Sequence, residues 1–348
     1  MRDRVKDGGR GRVLGVVGTF VLDRIVGLSG RPEPVEGLGG LAYTLSGAAA
    51  VVGPESRLLP LARVGADAVD AVAQWLGDTG LDTGGLVVVR EANNRVELRY
   101  HDDARRTEHL TGSVGGWRGR ELAAAAAECD ALLLNFISGH ELSLDEAVAL
   151  RQAFKGPIYA DLHSLFLGMT ADGTRKPRPL PSWEAWVTCF DAVQLNGDEM
   201  DLLRRGGTAD AYARRVLALG PSLVSCTLGS AGARCWSTLQ LGFGEGHRGR
   251  RDDGSVVSHE IPAHPVAEPD PTGCGDVWAG VMCCGLLSGD EVPVAAGRAS
   301  RLAAAAARQS GVTGLVARLK QEATAAGKED LWTSYRDPDR WTTGRSTG

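Results

Sequence analysis

Asp270-Pro271-Thr272-Gly273-Cys274-Gly275-Asp276 runs directly into Val277-Trp278-Ala279-Gly280-Val281-Met282-Cys283-Cys284-Gly285-Leu286-Leu287. A glycine-rich turn here delivers a carboxylate into the first turn of an apolar helix. Glycines leave backbone N–H groups uncovered, and a helix N-terminus adds unpaired donors and a partial positive charge. Phosphate sits well in such a place. Asp276 beside it would repel that ligand unless it has a task, and taking a proton from an attacking hydroxyl is such a task. The plain alternative is that Asp276 only charges the helix start, where acids are favoured anyway. The rest of the chain decides between them.

The 348 residues leave room for one large α/β domain or two smaller ones. A net charge of −5 argues against nucleic acid as the main partner. Without a run of about 18 apolar residues, a membrane span is not expected. Residues 1–12 are polar, lack the apolar core of a secretory signal and read as a disordered leader. Seven cysteines without a C-x-x-C pair or a His/Cys cluster argue against zinc and fit a reducing, cytoplasmic compartment. Cys274 alone has a reactive setting, since a helix N-terminus lowers a thiol pKa. A small space-filler is the favoured reading.

Val13–Gly18 reads as a buried strand, and 19–40 as loop or short edge strand. Leu41–Val52 suits a small-residue helix packed closely on a sheet, followed by a strand at 58–64 and a helix at 66–77. Segments 86–90 and 95–100 flank Glu91-Ala92-Asn93-Asn94 and predict a hairpin lying over something. A regular alternation follows. Helices at 121–129, from Ser143 with a Glu146 capping box, and at 208–219 alternate with strands at 131–136, 157–161, 191–195 and 223–228. That rhythm predicts a mostly parallel sheet with helices on both faces. Residues 164–181 read as a long loop. A strand pair at 233–238 and 256–261 brackets a mobile loop at 242–254, and an Ala-rich helix spans 292–308.

Ligands bind outside the carboxyl ends of strands in an open parallel sheet. The unusual polar residues fall there: Asp23, Asn135, Asp161, Asn196 and Thr227-Leu228-Gly229. Asn196-Gly197-Asp198-Glu199 has two readings. Its spacing is that of a capping box, yet a carboxylate near nucleotide phosphates usually reaches Mg²⁺, directly or through water. Thr227 to Gly232 ends a strand in a Gly turn. There is no G-x-x-x-x-G-K-[ST], no G-x-G-x-x-G opening a helix and no G-x-S-x-G.

Together these residues resemble the ribokinase-like carbohydrate kinases, the phosphofructokinase-B (PfkB) family, over roughly 13–320. Asp270–Asp276 is similar to the family's D-T-T-G-A-G-D signature, with Pro271 and Cys274 as departures. Asn196–Glu199 resembles its N-x-x-E motif and Thr227–Gly232 its T-x-G-x-x-G turn. Gly39-Gly40, Gly18–Asp23 and Gly65-Ala66-Asp67 resemble its N-terminal glycine pair, its substrate-binding Asp segment and its G-x-D.

The resemblance implies a ribokinase-like α/β kinase domain over 13–325. A small β lid would come from 19–40 and 86–112, and 326–348 would be a C-terminal tail. It implies ATP-dependent phosphorylation of a hydroxyl on a sugar, with a nucleoside as runner-up. Asp276 would be the base and the N–H groups of Gly273, Cys274 and Gly275 an anion hole. Thr227, Gly229 and Gly232 would contact ATP. Asp23, Gly39, Gly40, Asn135 and Asp161 would hold substrate. Glu199 and Asn196 would organise Mg²⁺ and its waters, with a monovalent cation such as K⁺ as a further cofactor. A homodimer through the lid is a further expectation. Thr44, where many such sugar kinases have Asn, Val21, and Asp161-Leu162-His163 in place of Asp-x-Asn leave the acceptor open. A non-catalytic binder, or a member acting through oligomerisation, are the competing classes.

Overall fold

The computed structural model describes residues 11–27, 33–101, 106–204, 206–243, 254–267 and 269–325. Residues 1–10 of the leader expected at 1–12, most of the loop at 242–254 and the tail at 326–348 lie outside them.

From the N-terminus come β1 (Val13–Val17), β2 (Phe20–Val26), β3 (Val35–Gly40), α1 (Leu41–Val51), β4 (Arg57–Gly65) and α2 (Val69–Thr79). Three strands follow without a helix: β5 (Leu86–Val89), β6 (Arg95–Tyr100) and β7 (Arg106–Thr111). Next are α3 (Gly119–Ala125), β8 (Ala131–Asn135), α4 (Leu144–Ala153) and β9 (Ile158–Asp161). A 3-10 turn at His163–Phe166 leads to β10 (Leu167–Met169), β11 (Thr174–Pro177), α5 (Trp183–Val187), β12 (Ala192–Asn196), α6 (Gly197–Arg204) and α7 (Ala209–Leu219). The described chain closes with β13 (Leu223–Thr227), β14 (Ala233–Ser237), β15 (Val257–Ile261), α8 (Cys274–Leu287), α9 (Val292–Ala306) and α10 (Leu315–Ala325).

The larger sheet has the order β15-β14-β13-β12-β9-β8-β1-β4-β5. It is parallel from β13 to β5, with β14 and β15 antiparallel at one edge. A parallel sheet covered on both faces needs continuous apolar strands, and β1 is one. Its Val13 and Val17 enter one core, and Leu14 and Val16 the other. The small residues of α1 let α8 approach closely. A Cβ on Gly47 would lie 2.5 Å from the Val277 carbonyl oxygen, and one on Gly280 2.2 Å from that of Thr44. This contact sets where α8 begins, and so where Asp276 stands.

The smaller sheet, the lid, has the order β10-β11-β7-β6-β2-β3. It decides one reading of the sequence and corrects two. Within 19–40, read as loop or short edge strand, 20–26 and 35–40 are paired strands, with β3 at the edge of the sheet. Segments 86–90 and 95–100 do not form a hairpin with each other. β5 pairs in parallel with β4 at the edge of the large sheet, whereas β6 pairs with β2 and β7 in the lid. Asn93 makes this crossing. It is fully buried, its Oδ1 accepts from the Gly65 N–H at 3.1 Å, and its Nδ2 donates to the Phe20 carbonyl at 2.9 Å. Asp67 assists, accepting from the Asn93 N–H at 2.8 Å and from Arg95 at 2.7 Å. The expected loop at 164–181 holds β10 and β11, which extend the lid next to β7. Among the described residues no helix is long and apolar enough to cross a membrane.

Candidate active site

Gly273 caps α8 with φ +76, a left-handed backbone that only glycine adopts freely. A Cβ there would lie 2.2 Å from Cγ of Tyr43, so the ring packs directly on the turn. Asp270 anchors the turn from below. Its Oδ1 accepts from the Thr272 N–H at 2.9 Å, and its Oδ2 from the Ser310 hydroxyl. The N–H groups of Gly273 and Gly275 make no hydrogen bond to a described residue, whereas that of Cys274 donates to the Pro271 carbonyl at 3.2 Å. Two of the three expected anion-hole donors are therefore open. Burial, with Asp270 and Asp276 adding to it, pushes the Cys274 thiol up to about 12. The half-buried thiol packs against the carbonyls of Asp270 and Ala303.

Asp276 lies in the first turn of α8. Asn135, at the end of β8, donates through Nδ2 to Asp276 Oδ1 at 2.6 Å and to Thr44 Oγ1 at 2.8 Å. Gln194 in β12 supports the neighbouring peptide: its Nε2 donates to Asp161 Oδ2 at 2.7 Å and to the Gly275 carbonyl at 3.1 Å. Burial holds Asp161 well above the usual carboxylate range, Glu199 and Asp276 add to this, and His163 opposes it.

Asn196 and Glu199 form a closed reciprocal pair. The Asn196 backbone and side-chain N–H groups donate to Glu199 at 2.8 and 2.7 Å, and the Glu199 N–H donates to Asn196 Oδ1 at 3.0 Å. His163 Nδ1 stands 3.4 Å from Glu199 Oε1. Burial pulls the imidazole down, but the Glu199 bond and charge, with Asp161 and Asp276, bring it up to about 9.

These groups line one cleft of about 870 Å³. At the lid end are Val21, Asp23, Gly40, Tyr43, Val96, Leu98 and Glu108. In the middle are Asp161, His163, Asn196, Asp198, Glu199 and Gly273–Asp276. At the far end are Thr227, Gly229, Gly232 and an apolar slot of Pro265, Val266, Ala304 and Ala307. Gly39 and Asn135 stand behind the lining. Gly39 leaves room for Asp23, whose Oδ2 would be 1.7 Å from a Cβ there.

The sequence of residues 26–317 matches the model of the pfkB family carbohydrate kinases. The chain belongs to the PfkB family of carbohydrate kinases. Its fold is the ribokinase-like α/β fold. No curated protein matches the sequence. Among solved structures, a putative ribokinase II from E. coli in complex with ATP and Mg²⁺ is 16% identical, with a TM-score of 0.67 over 90% of this chain and 99% of that one. A nucleoside kinase from Burkholderia thailandensis in complex with inosine is 18% identical, with a TM-score of 0.63 over 90% and 98%. A pyrophosphate-dependent kinase in the ribokinase family, complexed with a pyrophosphate analog and myo-inositol, is 16% identical, with a TM-score of 0.65 over 89% and 99%. At these identities the likeness establishes the fold.

Asn196 and Glu199, expected to organise Mg²⁺, are joined chiefly to each other. Among the described residues no group of three or more His, Cys, Asp or Glu could hold a metal ion. Both Glu199 oxygens already accept hydrogen bonds. Reading the sequence missed Gln194, Tyr43 and Glu108. Gln194 carried a signal, a polar residue inside the apolar run Ala192-Val193-Gln194-Leu195. Tyr43 carried a weaker one, as the aromatic in a small-residue helix.

Proposed function

We propose that the protein transfers the γ-phosphoryl group of ATP to a hydroxyl of a sugar or sugar-like small molecule. One observation carries this reading: Asp276 stands beside the open N–H groups of Gly273 and Gly275, in a cleft that continues to a lid at one end and an apolar slot at the other. The acceptor oxygen attacks the γ-phosphorus, the bond to the bridging oxygen of the leaving ADP breaks, and the acceptor proton passes to Asp276. Charge developing on the transferred group is met by the two N–H donors. Mg²⁺ on the donor supplies charge neutralisation, and Asn196, Asp198 and Glu199 would receive its waters.

The apolar slot of Pro265, Val266, Ala304 and Ala307 suits a nucleobase, which favours a nucleotide donor over pyrophosphate. The lid would exclude water, the competing acceptor. Free cysteines among the described residues accord with a reducing compartment.

The test is an ATP-consumption screen over pentoses, hexoses, their phosphates and nucleosides, with pyrophosphate as a second donor. Acceptor-dependent turnover that Asp276→Asn removes, with ATP still bound, supports the reading. ATP binding without turnover across the panel would favour a non-catalytic binder.

A further inference from the structure

The acceptor end of the cleft is built on one face of the lid. Strand pairing sets Asp23 opposite Val96, and Leu98 opposite Glu108. Val96 and Leu98 are two residues apart on β6, so they share a face. Asp23, Val96, Leu98 and Glu108 all line the cleft. Two carboxylate-bearing positions thus stand diagonally across an apolar pair, two strand spacings apart sideways and two residues apart along the strands, about 12 Å in all. One sugar-sized molecule fills that gap.

Glu108 has a buried partner. Arg175, opposite it on β11, donates through Nη1 to Glu108 Oε1 at 2.7 Å and to the Ile137 carbonyl at 3.2 Å. The side chains of Arg175 and Glu108 are 3% and 13% exposed. Arg175 does not line the cleft. Oε2 of Glu108 makes no hydrogen bond to a described residue. Among the described lining residues there is no Lys or Arg, while Asp23, Glu108, Asp161, Asp198, Glu199 and Asp276 are all acids.

From this we infer that Glu108, held by Arg175, selects the acceptor by accepting a hydrogen bond from its hydroxyl or ammonium group and rejects acceptors bearing phosphate or carboxylate. The inference rests on the kinase reading above and adds to it the class of acceptor. A hydroxyl or an ammonium donates a hydrogen to a carboxylate, which an ionised phosphate or carboxylate does not. An anionic group placed against Leu98 would also meet the Glu108 carboxylate, and among the described lining residues no Lys or Arg offers it a counter-charge. Arg175 acts behind Glu108. It fixes the orientation of that carboxylate, and with its bond to Ile137 it ties the lid strand β11 to the core.

The test compares the wild-type protein with Glu108→Gln, using D-ribose, D-glucose, D-glucosamine, D-fructose 6-phosphate and D-gluconate as acceptors with ATP. The wild type should prefer the neutral or amino sugars over the phosphate and the acid by about tenfold or more in kcat/KM. Glu108→Gln should raise KM for the best acceptor about tenfold, with a smaller change in kcat and an unchanged KM for ATP. Because the pair is buried, Glu108→Leu with Arg175→Met serves as a second variant, since replacing both charges by apolar groups is often tolerated. It should show the same KM rise if the single variant fails to fold. Preference for the phosphorylated acceptor, or a KM within about twofold of wild type in a folded variant, overturns the proposal. If no sugar is turned over, the kinase reading fails first, and calorimetric binding of the same five compounds to both proteins decides the role of Glu108. Binding of neutral or amino sugar weakened by Glu108→Gln supports it; binding unaffected by the variant, or none at all, overturns it.

Discussion

Asn135 donates through Nδ2 to Asp276 Oδ1 at 2.6 Å, and the same amide group reaches Thr44 at 2.8 Å. The end of β8 thereby holds a carboxylate carried by the first turn of α8. Asn135→Leu should lower kcat by about 10–100-fold, the worth of a hydrogen bond to a charged group, with donor KM little changed. Asn135→Asp should do something different. A second carboxylate beside Asp276 disfavours its charged form and raises its pKa. The acidic limb of the pH profile of kcat/KM should move to higher pH, measurable in a buffer series on the acceptor found by screening.

Asp276→Asn removes the proton acceptor but keeps the shape. Loss of about 10²–10⁴ in kcat is expected, with ATP affinity retained by calorimetry. Near-normal turnover would leave Asp276 as no more than a charge at the helix start.

Gly273→Ala tests the turn. The φ of +76 costs an L-residue roughly 1–2 kcal/mol, and the added methyl meets the Tyr43 ring. Thermal unfolding should report a destabilisation of about 2–4 kcal/mol, the strain and the overpacking together. Shrinking the obstacle in a Gly273→Ala, Tyr43→Ala double variant should give less than the sum of the single effects.

Cys274 should be inert. With its thiol pushed up to about 12, almost none is thiolate at pH 8. Iodoacetamide labelling of the native protein followed by mass spectrometry should leave Cys274 unmodified. Cys274→Ala should retain near wild-type turnover.

These contrasts show which parts of the site a sequence carries. The glycine turn, the first acid of α8 and the alternation of strands and helices are local patterns, and all were legible. So was Asn196–Glu199, whose capping geometry and cleft position turn out to coexist. What escaped was non-local. β2 reads as loop or edge strand until β6 supplies its partner from 95–100, and β11 looks like loop until it reaches β7. The Glu108–Arg175 pair joins residues 67 apart that no motif links.

His163 gives a stability signature. Its folded pKa, brought up to about 9, lies above the ordinary imidazole value of 6.5. The protonated ring's contact with Glu199 therefore contributes fully below about pH 6.5 and is lost as pH rises through about 9. Relative to His163→Gln, the wild-type protein should lose stability across that window in denaturant titrations run without Mg²⁺. A pH-independent difference between the two would remove the charge from the account.

Asn93 joins the two sheets through both ends of one amide, to Gly65 in the core and Phe20 in the lid. Arg175 makes a second fastening, from β11 to the Ile137 carbonyl at 3.2 Å. These two points lie three strands apart in the small sheet, at β2 and at β11. The lid can neither slide along the core nor turn about Asn93 without breaking one of them. An acceptor entering beside Glu108 would therefore meet a wall already set in place, not one that its arrival must assemble.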